Sequence, residues 1–420
     1  MYTSIFTLLF LAMLNFCQEE AKQHTRKRST RVCILIKLVE ARKLLENKCE
    51  VDNQTVCISL LNTETKKLYL AKMSKSDFLT QHHSESFTFD EDIVKLTIDH
   101  PNYVNTKLST DNPKYVPLTV KYPIVKNDKL KEMAYYTPAH KVLQEAVLAK
   151  LGSEYLEQTI EKAATSLRKS KLEIPEKVIS LAKLLCIVEH IDHKRFMTEP
   201  AESLFKEVEV LYALNQNNTY RYSVSRAGAG GMVQMIPSTY KEVRNAFPQI
   251  SLIADFEEAM TDHHNAAKAM LLYLKRYHSF FLEKEQVIEA IKNGIATEEE
   301  LMAAGYNSNP VNVPRRLSYG KYWKYYLPKE TKVYLSILHA LDSSITTGDI
   351  NAPTEVVAVY RPKSSTRSSK KIASVRAKKS SQLRHKTVTR SAKKRSAKVA
   401  ASRKNSPSRK LTVKQLRRKR

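Results

Sequence analysis

Between residues 31 and 126 the apolar positions fall in short β-branched and aromatic runs, separated by Asn, Asp, Pro and Ser. VCILIKLV, TVCISLL, KKLYLAKM, SFTFDEDIVKLTI and YVPLTVKY predict strands, and LLNTETKKLYL predicts two strands about a polar turn. From about Leu130 the period lengthens. KVLQEAVLAKLGSEYLEQTIEKAATSLRK places apolar residues three and four apart, which predicts helix. IPEKVISLAKLLCIVEHIDHKRF is apolar on nearly every side of a helix, as a buried helix is. Helical patterns continue through ESLFKEVEVLYALNQ, PSTYKEVRNAF, DHHNAAKAMLLYLKRYHSFFL and ETKVYLSILHAL. The pattern therefore predicts an α+β multidomain chain, with a small β-rich accessory domain over 31–126 and an all-α domain over 130–345. Residues 22–30 are polar and predict a linker. After Thr346 a brief β-like run, EVVAVYRP, gives way to Ser, Lys, Arg, Ala and Thr, too poor in apolar surface to offset ordering entropy. Residues 346–420 are therefore expected to be disordered.

Charge sharpens this division. The chain carries a formal net charge of +27, but residues 361–420 hold 24 Lys and Arg and no Asp or Glu. The first 360 residues thus have 46 basic against 43 acidic side chains, a balance of only +3. The basicity belongs to the tail. A solvated polycation binds polyanions by counterion release without sequence choice. The tail's expected partner is an anionic polymer: a wall polymer, anionic lipid or nucleic acid.

At the other end, residues 1–21 contain an apolar run from Ile5 to Phe16. That length suits a signal-peptide core and is short for a membrane span. Export is the expectation, with an uncleaved N-terminal anchor as the alternative. The five cysteines are Cys17, Cys33, Cys49, Cys57 and Cys186, and they contain no CxxC pair or zinc-type spacing. In an exported chain two of Cys33, Cys49 and Cys57 can pair, and Cys186 within LAKLLCIVEH reads as a core residue.

The candidate chemistry centres on YSVSRAGAGGMVQMIPSTY, residues 222–240, which holds three of the chain's eight glycines. Glycines allow positive φ and close backbone approach to a ligand, and Pro237 suits the first turn of a following helix. Ser225 and Gln234 are the hydrogen-bond formers expected to face a groove.

SRAGAGGMVQMIPST resembles the core motif of the lytic transglycosylase (SLT, goose-lysozyme-like) family, S-x-x-GA-x-GLMQ-x-M-P-x-T. LMAAGYNSNPVNV resembles that family's AAYNAG segment, with Gly305 inserted before the tyrosine. LPKETKVYLSILHAL resembles its closing LPxETxxYVxxI helix. The resemblance implies a lysozyme-like catalytic domain and cleavage of the β-1,4 bond between N-acetylmuramic acid and N-acetylglucosamine in peptidoglycan glycan strands, with 1,6-anhydro products. It implies a periplasmic or cell-envelope enzyme without a cofactor. The catalytic glutamate of the family ends the buried helix before the glycine motif, a place matched by Glu189. A carboxyl held among apolar walls is raised in pKa and can act as a general acid. Here His190 follows Glu189 where the family has serine, and 36 residues separate Glu189 from Ser225. An inserted helix near Glu202–Leu214 accounts for the length, and Glu209 or Glu207 is the alternative acid. The resemblance further implies Ser225, Met232, Gln234, Tyr306 and Asn307 as substrate-binding residues, with Tyr306 pointing at the glutamate.

Asp192 and Asp262 are further carboxylates, Asp262 reading as a helix start. His190, His193, His263 and His264 form no HExxH pattern, and no metal is expected. The aromatic run Tyr319, Tyr322, Trp323, Tyr325 and Tyr326 is expected to pack a late helix, with one or two edges at the groove. Two other functional readings remain. One is an inactive glycan-binding protein of the same fold, and the other a nucleic-acid-binding protein acting through its tail.

Overall fold

The computed structural model describes residues 28–50, 52–143, 146–225 and 227–347. The expected signal or anchor segment, most of the linker and nearly all of the basic tail lie outside the described residues. The observed class is mixed: two small antiparallel sheets in the N-terminal part, then a helical C-terminal part.

The first element is a helix, α1 (Arg28–Lys48), which includes the expected strand VCILIKLV and the last three residues of the expected linker. The reason lies in its second half. No Gly or Pro interrupts the segment, and Leu38, Ala41 and Leu45 recur at helical spacing, with Ala41 and Leu45 fully buried. A continuing amphipathic face overrides the local β preference of Val and Ile.

The strands are β1 (Thr55–Asn62), β2 (Leu68–Ser74), β3 (Ser84–Phe89), β4 (Asp92–His100), β5 (Lys107–Thr110), β6 (Tyr115–Lys126) and β7 (Lys129–Tyr136). One sheet has the order β2-β1-β6-β7 and the other β3-β4-β5, all antiparallel. Alternation divides β1: Val56, Ile58 and Leu60 enter the main core, whereas Cys57 packs with Leu45 and Cys49 beneath α1. A Cys49–Cys57 disulfide ties the end of α1 to β1. Lys121, opposite Cys57 in register, is buried and donates through Nζ to the carbonyls of Leu45 (3.3 Å) and Cys49 (2.8 Å). It thereby gives the Cys49 carbonyl, just past the helix end, a partner and the Leu45 carbonyl a second donor beside the Cys49 N–H.

The sheet extends beyond the expected boundary at 126, and the segment from Leu130, expected to be helical, begins as a strand. Asn127 and Asp128 have φ of 52° and 59° and form the whole loop between β6 and β7. Two positive φ values in a two-residue connection mark a hairpin turn that matches strand twist.

After the sheets, the helices longer than a single turn are α2 (Ala146–Lys169), α3 (Glu176–Val188), α4 (Ala201–Asn215), α5 (Pro237–Ala246), α6 (Phe256–Thr261), α7 (His263–Leu282), α8 (Glu285–Lys292), α9 (Glu298–Asn307) and α10 (Lys329–Thr347). The helix expected near Glu202–Leu214 is α4. Buried α7 packs against α2, α3, α5, α6, α8 and α9. Cys186 is buried within α3, as expected. Helices α2 and α4 approach so closely that a Cβ on Gly152 would lie 1.7 Å from the Glu209 carbonyl oxygen.

Sheets and helices share one hydrophobic cluster, and polar contacts reinforce the junction. The buried Asn215 amide pairs with both backbone groups of Thr137, accepting from its N–H at 2.7 Å and donating to its carbonyl at 3.0 Å. Lys126 and Lys131 reach Glu257 on α6 at 2.7 and 3.3 Å.

Candidate active site

Glu189 immediately follows α3, whose buried residues include Leu181, Ala182, Leu185, Cys186 and Val188. Eight of the helix's thirteen residues are buried, and the carboxyl follows its most continuous apolar run, Leu185–Val188. Burial pushes Glu189 up from 4.5 to about 7, although a hydrogen bond from Tyr334 pulls the other way. Tyr334 lies on α10 and donates its hydroxyl to Glu189 Oε1 at 2.6 Å. Among the described residues the second oxygen, Oε2, has no hydrogen-bond partner, and the side chain keeps partial exposure.

The glycine-rich loop is built from short-range bonds. Gly228 and Gly231 have φ of 78° and 65°. Gly230 pairs with both Val224 and Met235, and Gly231 N–H donates to the Ser223 carbonyl at 3.2 Å. A Cβ on Gly231 would lie 2.2 Å from the Met260 carbonyl oxygen, so α6 abuts the loop backbone. Pro237 opens α5 as expected.

His190 fastens this loop to α3. Its ring lies flat on Tyr220, centroids 3.4 Å apart and planes 2° apart, and Nε2 is 3.0 Å from the Met232 carbonyl. A carbonyl only accepts, so Nε2 carries the proton. Burial depresses the ring to about 3 and leaves it neutral at physiological pH, although the bond to the Met232 carbonyl pulls the other way. The residue that departs from the family's Glu-Ser pair thus links the candidate acid to the loop.

A second fastening comes from the sheet. Glu132 on β7 accepts the Tyr222 hydroxyl and lies 3.4 Å from the Arg221 guanidinium. The β6–β7 hairpin therefore grips the loop at its start through Glu132 and, through Glu257, the helix that abuts Gly231.

The expected binding residues are only partly assembled. Tyr306 lies near Glu189 but donates its hydroxyl to the Val233 carbonyl at 2.6 Å; Tyr334, not Tyr306, bonds the carboxyl. The tyrosines divide the work because α9 passes under the loop whereas α10 reaches the end of α3. Met232 is fully buried, with its side chain in the core and only its carbonyl engaged at the site. Gln234, at φ 45°, turns its amide back onto the Gly231 carbonyl at 2.8 Å. Ser225 is exposed and its Oγ accepts from Ala229 N–H at 3.0 Å. Asn307 ends α9, partly buried.

The alternative acids differ from Glu189. Burial alone would raise Glu207, but Arg195 at 2.7 and 2.9 Å and Lys107 at 3.5 Å hold it below the ordinary carboxylate range. Glu207 is an ion-pair partner and not a proton donor at neutral pH. Glu209 is raised by burial to about 7, and its backbone packs against Gly152 of α2. Among the described residues no hydrogen bond joins its side chain to the glycine-rich loop or to α10.

The remaining candidates serve the framework. Asp192 accepts from Lys194 and Arg195 N–H, capping one helical turn, and Asp262 caps α7 through Asn265 N–H. His263 bonds the Thr219 carbonyl at 2.8 Å and the Tyr155 hydroxyl at 2.9 Å. No group of three metal-binding side chains occurs among the described residues. Only Trp323 of the late aromatic run is buried; its four tyrosines are exposed, contrary to the packing expected. A cavity of about 530 Å³ lined by Lys241, Arg244, Ser251 and Phe256 contains none of the candidate residues.

No protein-family model, curated protein or solved structure matches this chain.

Proposed function

We propose that the protein is a peptidoglycan lytic transglycosylase whose helical part has a lysozyme-like arrangement. The observation that carries this reading is the Glu189 carboxyl. It is partly buried, raised to about 7, held through one oxygen by Tyr334, and linked through His190 to the glycine-rich loop. A protonated carboxyl at neutral pH is what departure of a sugar oxygen requires.

In the proposed reaction Glu189 gives its proton to the glycosidic oxygen as the bond to the muramic anomeric carbon breaks. The resulting carboxylate removes the proton of the muramic 6-hydroxyl, whose oxygen bonds to that carbon and closes the anhydro ring. Glu189 ends protonated, ready for another cycle. The nucleophile belongs to the substrate, so one carboxyl suffices. The commitment of Asp192 and Asp262 to helix caps supports this over a two-carboxylate hydrolysis. The Cys49–Cys57 disulfide supports an exported location. Residues 361–420 would tether the enzyme to an anionic polymer.

The test is digestion of purified peptidoglycan by wild type and Glu189→Gln, with products analysed by mass spectrometry. Expected are anhydro-muramic ends from wild type and at least a hundredfold loss in the variant. Full activity in the variant refutes the residue; reducing ends without anhydro rings refute the mechanism.

A further inference from the structure

The 3₁₀ segment Leu317–Tyr326 presents a surface that the catalytic reading does not use. Trp323 is its anchor, fully buried and donating Nε1–H to the Ile295 carbonyl at 3.0 Å. With that side chain turned inward, the tyrosines face solvent: Tyr322 is 64% and Tyr325 74% exposed. Gly320, at φ 55°, breaks the helical path, and Tyr319 and Tyr326 stack across the break at 3.7 Å. Lysines border the two most exposed rings. Lys321 Nζ is 5.4 Å from the Tyr322 centroid and Lys332 Nζ 4.7 Å from that of Tyr325.

The charge here is one-sided. Residues 315–332 contain six basic side chains and one acidic, Glu330. Lys324 is paired with Glu300. Among the described residues Arg315, Arg316, Lys321, Lys329 and Lys332 form no salt bridge. The strip also joins the candidate site directly. Leu327 and Pro328 lead into α10, the helix that carries Tyr334, and the Lys332–Tyr325 contact fastens the strip to its first turn.

We propose that this strip is a second holding surface for an acidic glycan, the peptide-bearing strand of peptidoglycan. Sugar rings stack their C–H faces on Tyr322 and Tyr325, while stem-peptide carboxylates meet the unpaired cations. Tyrosine offers large stacking area with few rotors to immobilise. A neutral glycan would use the rings and leave five cations uncompensated; an acidic strand uses both. The proposal rests on reading the protein as acting on peptidoglycan, and it adds a contact away from Glu189 that holds an insoluble substrate.

The test is co-sedimentation of the full chain with purified sacculi, in a Glu189→Gln background so that the substrate persists. Wild-type turnover is measured in parallel. Tyr322→Ala/Tyr325→Ala is expected to weaken retention about tenfold without lowering the melting temperature, since both side chains are exposed. Lys321→Glu/Lys332→Glu is expected to weaken retention on intact sacculi and much less on sacculi stripped of stem peptides by an amidase. Unchanged retention by the tyrosine variant overturns the proposal. So does a loss confined to a single-stranded oligothymidylate probe, which would make the strip a nucleic-acid surface. If wild type cleaves sacculi and the tyrosine variant binds normally, only the strip's role fails. If wild type neither binds nor cleaves them, the reading of Glu189 fails as well.

Discussion

Replacing Glu189 with glutamine should reveal the carboxyl's environment through stability, independently of any substrate. The side chain keeps its shape and its acceptor for Tyr334 but loses its titration. The shift from 4.5 to about 7 corresponds to about 3 kcal/mol, at about 1.4 kcal/mol per pH unit. The sign follows from linkage. Below about pH 4.5 the carboxyl is protonated in both folded and unfolded chains and costs nothing. Between 4.5 and about 7 the unfolded chain releases a proton that the folded chain retains, so wild-type stability falls as pH rises. Above that range the slope disappears because both states are ionised. Relative to wild type, Glu189→Gln should therefore gain up to about 3 kcal/mol between pH 4.5 and 8. Urea unfolding of both proteins at several pH values measures this difference, and every other titrating group cancels in the subtraction. A difference that stays constant across the range would mean that Glu189 is well solvated. The argument for it as general acid would then fall, whatever the activity assays gave.

Tyr334→Phe removes a hydrogen bond that favours the Glu189 anion, and should raise the alkaline limb of the kcat/KM profile by about one to two pH units. An unmoved limb would separate that hydroxyl from the titrating group. Gly231→Ala places a Cβ against the Met260 carbonyl at positive φ and should cost about 2–5 kcal/mol. Thermal unfolding is the check, and a variant with wild-type melting would contradict the close approach of α6. Glu132→Gln is a positioning change. It should raise KM for peptidoglycan fragments severalfold while leaving the alkaline limb of the pH profile in place, and a shifted limb would mean that it perturbs Glu189 itself.

The sequence pattern located the order of sheet before helices, the helix α4, the Pro237 start and the Asp262 cap, all signals carried within a few neighbouring residues. It misread VCILIKLV because the decisive information lies downstream, in Ala41 and Leu45, which bind the segment to the sheet as a helix. It ended the sheet too early because Asn127-Asp128 is a strong turn signal only when both flanking runs are read as strands. At the candidate site Glu189 was singled out by the family resemblance together with the apolar run before it. Tyr334 lay in a quoted motif but had no assigned role, since only the crossing of α10 over the end of α3 gives it one. Glu132 lies 90 residues before Tyr222 and carries no local signal at all. The exposed tyrosines were misjudged for a related reason: composition counts aromatic residues without saying which one is the anchor.

The Asn215–Thr137 pairing and the shared hydrophobic cluster have a practical consequence for dissecting this protein. A fragment beginning after β7 would expose the helices' half of that cluster to water, strand the Asn215 amide without its partner, and release Arg221 and Tyr222 from Glu132. Loss of activity in such a fragment would report damage to the glycine-rich loop and say nothing about what the sheets recognise. Calorimetry of residues 28–347 should accordingly give one unfolding transition, because neither layer has a complete interior of its own.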